Sequence, residues 1–93
     1  MARPIANGNG GYDLQIVVPF RANATDLRFI VYETNDLTNW AEIYRYDVLG
    51  GAETITDPTL ATTVDTVSQT ITVRSSSLNP FTTFWRVGVI LVP

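Results

Sequence analysis

Leu14-Gln15-Ile16-Val17-Val18-Pro19-Phe20 alternates with the two-residue period of a β-strand. Leu14, Ile16, Val18 and Phe20 point one way, and Gln15, Val17 and Pro19 the other. Pro19 cannot donate a ladder hydrogen bond, so the strand is expected to lie at a sheet edge or to end in a bulge there. Working outward from it, the chain repeats this grammar. Leu27–Thr34 is rich in β-branched and aromatic residues and stops at the turn signal Asn35-Asp36-Leu37-Thr38-Asn39. Trp40–Val48 alternates again, with Trp40, Glu42, Tyr44, Tyr46 and Val48 on one face, until Leu49-Gly50-Gly51 halts it. Thr54–Thr56 and Thr59–Val64 predict minor strands or a long excursion. Val67–Val73 alternates cleanly, Ser75–Pro80 predicts a loop, and Thr82–Val92 predicts the longest strand. The last strand is apolar in both registers, which predicts burial on both faces near its end. No segment carries a helical period, and turn signals recur every eight to twelve residues or so. The expected fold is all-β, an antiparallel β-sandwich of five to seven strands.

Ninety-three residues, 45% of them hydrophobic, support one core. The expected organisation is a flexible N-terminal arm over residues 1–13, which holds Gly8-Asn9-Gly10-Gly11, and a single sandwich domain over 14–93. No apolar run near the N-terminus has the length of a secretory signal, which predicts a cytoplasmic protein, or a virion protein if the source is viral. The apolar stretch Val87–Val92 is far too short for a membrane helix.

Cys, His and Lys are absent, and all six basic residues are arginines. Thiolate and imidazole metal sites, Ser-His-Asp and Cys-His nucleophile systems and Schiff-base chemistry lose their central groups. Asp47, Glu53, Asp57 and Asp65 show no order that marks a catalytic pair, and aspartates at strand ends are ordinary turn residues. No enzyme activity, cofactor or metal is expected. The arginines are scattered and the net charge is −3, so no basic stripe points to nucleic acid.

Two fragments, Tyr32-Glu33-Thr34-Asn35-Asp36-Leu37-Thr38-Asn39-Trp40 and Phe84-Trp85-Arg86-Val87, resemble the strand-turn-tryptophan element and the closing aromatic-aromatic-Arg-Val strand of fibronectin type III-like modules of bacterial proteins. That resemblance implies an immunoglobulin/fibronectin III-like sandwich in which Asp36 caps the turn, Leu37 tucks under it, and Trp40 and Trp85 fill the core. Arg86 would meet Glu33 or Glu42 across the sheet or stand in solvent. By size and class alone, the chain is similar to the small decoration proteins that stud tailed-bacteriophage capsids. This implies a non-enzymatic partner of a repeating protein surface, as a homo-oligomer or lattice-bound. The alternative is a carbohydrate- or peptide-binding module. Sandwiches of the fibronectin type close with a further strand, whereas here the sequence stops at Pro93. The expected assembly surface is therefore residues 1–13 with the nearest sheet edge, with Arg3, Ile5 and Tyr12 as contacts. Tyr44 and Tyr46 form a second candidate surface if their face is open, and otherwise they pack inside.

Overall fold

Alternating apolar residues can hide one face of each strand only if a second layer covers that face. The computed structural model describes residues 2–75 and 83–92, and in it two antiparallel four-stranded sheets provide that cover. Its strands are β1 (Arg3–Ala6), β2 (Tyr12–Pro19), β3 (Leu27–Thr34), β4 (Ala41–Asp47), β5 (Ala52–Ile55), β6 (Leu60–Asp65), β7 (Thr70–Ser75) and β8 (Phe84–Leu91). One sheet has the order β1-β2-β7-β6 and the other β5-β4-β3-β8. The described residues thus form eight strands, against the five to seven expected from sequence.

The core lies between the sheets. Leu14, Ile16, Val18, Ile71 and Val73 from the first meet Phe29, Val31, Ile43, Tyr44, Tyr46 and Trp85 from the second. Each such buried aliphatic or aromatic side chain contributes roughly 1.5–3 kcal/mol relative to exposure. Phe20 pins the layers together: its ring meets Phe29 at 6.4 Å and Tyr46 at 5.5 Å, both edge-on. At the far side, Thr62 of β6 and Tyr44 of β4 both donate to the Glu53 carboxylate of β5, each at 2.8 Å. With β6 over β5, the edge strands β1 and β8 fall on the opposite side of the sandwich.

Several elements differ from their sequence expectation. Residues 1–13 were expected to be a flexible arm, yet β1 pairs with β2 from Arg3↔Gln15 to Ala6↔Tyr12. The Asn7–Gly11 turn closes that hairpin: the Asn7 side-chain oxygen accepts from the Asn9 and Gly11 N–H groups, and Gly8 and Gly10 take positive φ. Val67 does not begin a strand. It tips the 66–69 turn with 93% of its surface exposed, because Asp65 accepts from the Val67 and Ser68 N–H groups and bends the chain there. Along β4 the pairing jumps from Val31↔Tyr44 to Tyr32↔Glu42, so Ile43 is an extra, bulged residue and both Ile43 and Tyr44 reach the core. Pro19 does not place β2 at the sheet edge, since β2 lies between β1 and β7, and its register with β7 runs without a bulge to Pro19↔Thr70. The Phe20 N–H donates to Gln69, so position 19 turns away from β7 toward an edge that the β1 ladder, ending at Arg3↔Gln15, does not reach. The predicted loop Ser75–Pro80 and the predicted strand start at Thr82 lie almost wholly outside the described residues; Ser75 itself ends β7.

Candidate interaction surface

The side of the sandwich bounded by β1 and β8 is where the side chains fail to cover one another. β8 pairs with β3 from Leu27↔Leu91 to Thr34↔Phe84, and among the described residues its other edge meets no strand. Opposite it, β1 is only four residues long. The consequence is uneven burial along one register of β8. Trp85 is 8% exposed and Val87 is partly buried, but Val89 is 53% and Leu91 71% exposed, although all four share the core-facing register with Phe29 and Val31. Phe84 and Ile90 on the outward register are also exposed. The sequence expectation of two-sided burial near the end of this strand is therefore corrected: among the described residues β8 is an edge strand, and Val89, Ile90 and Leu91 at its end stand exposed. Apolarity in both registers does not distinguish a strand buried by its own domain from one awaiting cover.

The edge also presents a defined row of backbone groups. The Val92 N–H donates to the Asp26 carbonyl at 2.7 Å, which makes 26↔92 a hydrogen-bonded pair. In an antiparallel ladder such pairs recur every second residue, so Phe84, Arg86, Gly88 and Ile90 turn their backbone groups to β3. Trp85, Val87, Val89 and Leu91 turn theirs to the open edge.

The predicted contact residues are split by the fold. Arg3 and Ile5 lie opposite Gln15 and Asp13 on the outward register of the first sheet, while Tyr12 shares the register of Leu14 and Ile16 and stands at the rim, about half exposed. Between them, Arg74 donates to the Asp13 carboxylate at 2.7 Å and Asn7 donates to it at 3.2 Å; these bonds hold Asp13 below its ordinary carboxyl range. Tyr44 and Tyr46 are removed from the candidates, since they are 1% and 3% exposed and belong to the core. In the β3–β4 ladder they lie opposite the core residues Val31 and Phe29, so the phenols point between the sheets.

On the outer face of the second sheet, Trp40 is not the core filler expected from sequence. It is half-buried, and the Arg86 guanidinium lies 4.4 Å from its ring centroid and 5.1 Å from that of Tyr32. The expected partners of Arg86 are taken: Glu42 accepts from Arg45, and Glu33 accepts from the Trp85 indole N–H at 3.0 Å. Gly88 lets Tyr32 lie flat on the sheet, because a Cβ there would meet the ring at 3.0 Å. Asp36 does cap its turn, accepting from the Asn39 and Thr38 N–H groups and from the Thr34 hydroxyl, and these bonds hold its carboxyl well below the ordinary range. Leu37, at φ 61°, is exposed and not tucked beneath it. An open cleft of about 230 Å³ is lined by Leu27, Arg28, Asp47, Leu49 and Ala52, but Arg28 and Asp47 are paired with one another. Among the described residues, no group of three or more acidic side chains gathers as metal ligands would.

Burial, together with donation to Glu53, pushes the Tyr44 phenol far above its ordinary value of 10.0. The folded chain thus keeps a proton that the unfolded chain loses. The associated stability is complete below pH 10 and is lost as pH rises beyond it. Thermal midpoints are expected to fall above about pH 10, and more steeply in wild type than in Tyr44→Phe. Equal slopes would show that Tyr44 is not the group responsible. The acid limb has the opposite sign: Asp13, Asp36 and Asp65 are all held below 3.8, so their contribution is present above that pH and lost below it.

No family model matches the chain, and a search of curated proteins finds no relative.

Proposed function

We propose that this chain is a non-enzymatic interaction domain of the immunoglobulin/fibronectin III-like class that joins a repeating protein assembly, in the manner of the decoration proteins of tailed-phage capsids. The observation that carries this reading is the β8 edge: core-register side chains, Val89 and Leu91, stand exposed beside backbone groups that meet no strand among the described residues. Such an edge is completed by protein, since an added strand satisfies the backbone and covers the side chains together. Strand order supports the class. The orders β1-β2-β7-β6 and β5-β4-β3-β8 correspond to strands A-B-E-D and C″-C′-C-F of immunoglobulin variable-type sandwiches, and the open edge of β8 is where strand G of that architecture runs. Arg3 and Ile5 of the edge strand β1, with Tyr12 at the rim, flank the same side and are the proposed peripheral contacts.

The test is co-sedimentation with purified capsids of the phage whose genome encodes the chain, with saturation at a fixed copy number per capsid subunit as the expected result. A coding sequence outside any phage genome, or protein left in the supernatant at saturating capsid, would reject the capsid assignment. The second reading, a carbohydrate- or peptide-binding module, is favoured by the half-open Trp40-Arg86-Tyr32 stack. It predicts that glycan or peptide binding is abolished by Trp40→Ala while capsid binding is unaffected.

A further inference from the structure

We infer that the partner of the β8 edge is a second copy of this chain, paired antiparallel to itself through β8 about a twofold axis at Gly88. The inference rests on the reading of β8 as the assembly edge and adds the identity and register of the occupant.

Three features of β8 make it complementary to itself. The first is the ladder. Trp85, Val87, Val89 and Leu91 are the residues whose backbone groups face outward, as the Val92-to-Asp26 bond requires. A twofold centred on Gly88 places Trp85 opposite Leu91 and Val87 opposite Val89, so outward-facing groups meet outward-facing groups along the whole strand. A centre lying between two residues would oppose outward-facing to inward-facing groups and form no ladder. The second is the side-chain match. In this register the exposed Leu91 of one copy lies beside Trp85 of the other, and the exposed Val89 beside Val87, so the open end of each core register is covered by the buried end of its mate. The third is charge. Arg86 is the sole ionic residue of β8, and it falls opposite Ile90, so no like charges meet. At the axis itself Gly88 faces Gly88, where the two backbones approach closely without a side chain between them. An isologous pair of this kind closes on itself and leaves no further edge of β8 for growth into a fibre.

Val89→Pro tests the ladder selectively. The Val89 N–H faces the open edge, so proline there removes a donor only from the intermolecular ladder and leaves the bonds to β3 intact. Analytical ultracentrifugation is expected to give wild-type protein at twice its 10.3 kDa chain mass and Val89→Pro at the single-chain mass with an unchanged circular dichroism spectrum. The register is read by cross-linking. Residues 86 and 90 oppose each other across the axis as a non-hydrogen-bonded pair, at about 4.5 Å between Cα atoms, within the span of a disulfide. Oxidising a mixture of Arg86→Cys and Ile90→Cys should yield a covalent heterodimer, and either variant alone should yield none. The cross-linking arm decides by itself if Val89→Pro does not fold. Wild-type protein that stays monomeric at hundreds of micromolar, a Val89→Pro dimer, or a dimer without the 86–90 cross-link would overturn the inference. Monomeric protein that still binds capsids would overturn the pairing and leave the capsid assignment standing; a cross-linked dimer that binds none would do the reverse.

Discussion

Trp85→Ala is expected to lower stability by about 3–5 kcal/mol, whereas Trp40→Ala should cost only about 1 kcal/mol. The two tryptophans look equivalent in sequence, and the fold separates them. Trp85 is 8% exposed in the core register of β8, and its indole N–H donates to Glu33, so truncation opens a cavity and leaves that acceptor without its donor. Trp40 lies outside the core, and the Arg86 guanidinium stands above its ring. At roughly 4–8 °C per kcal/mol for a chain of this size, Trp85→Ala should reduce the melting midpoint by more than 10 °C and Trp40→Ala by less. Equal shifts for the two variants would contradict the placement of either ring. Trp85→Phe, which keeps most of the apolar volume, should recover much of the loss.

Phe20→Ala is the other large loss expected, again about 3–5 kcal/mol. Phe20 follows the end of β2, and its ring is wedged against Phe29 of β3 and Tyr46 of β4, so it contributes apolar burial and two edge-on aromatic contacts across the layers. Urea titration should show the midpoint falling with the slope unchanged, as for a change in stability within one folding unit. Phe20→Leu should cost clearly less. A loss below about 1 kcal/mol for the alanine variant would mean that the two sheets are not held together at this point.

The sequence disclosed the all-β class and the sites of most strands because alternation is a local signal. The strand read from alternation over Leu14–Phe20 is found as Tyr12–Pro19, Leu27–Thr34 sits where its β-branched and aromatic content placed it, and the Asn35–Asn39 turn is closed by Asp36 as its composition indicated. What remained hidden depends on partners distant in the chain. β1 has four residues and no period, and it exists because β2 offers it an edge. The bulge at Ile43 is a property of the β3–β4 register, and the burial of Tyr44 and Tyr46 comes from their pairing with the core residues Val31 and Phe29. Val67 continues the alternation of the residues after it, yet the Asp65 carboxylate captures the turn one step earlier. The open edge was legible only in part. The apolar content of β8 was plain, but its position at the border of the sheet, with Val89 and Leu91 uncovered, follows from topology.

The pairing of β2 with β7 sets a timetable for the chain as it leaves the ribosome. Asp13 and Arg74, which meet across that pair, are 61 residues apart. At about 5–20 residues per second, β2 waits on the order of 3–12 s for its central partner. The β3–β4 and β4–β5 hairpins need only local segments and can close meanwhile. A nascent chain at that stage exposes Leu14, Ile16, Val18 and Phe20 as a bare apolar ribbon, with the β1 hairpin covering one border of it. Pro19 sits within this ribbon, where it interrupts the backbone donors that a stray strand would use for aggregation.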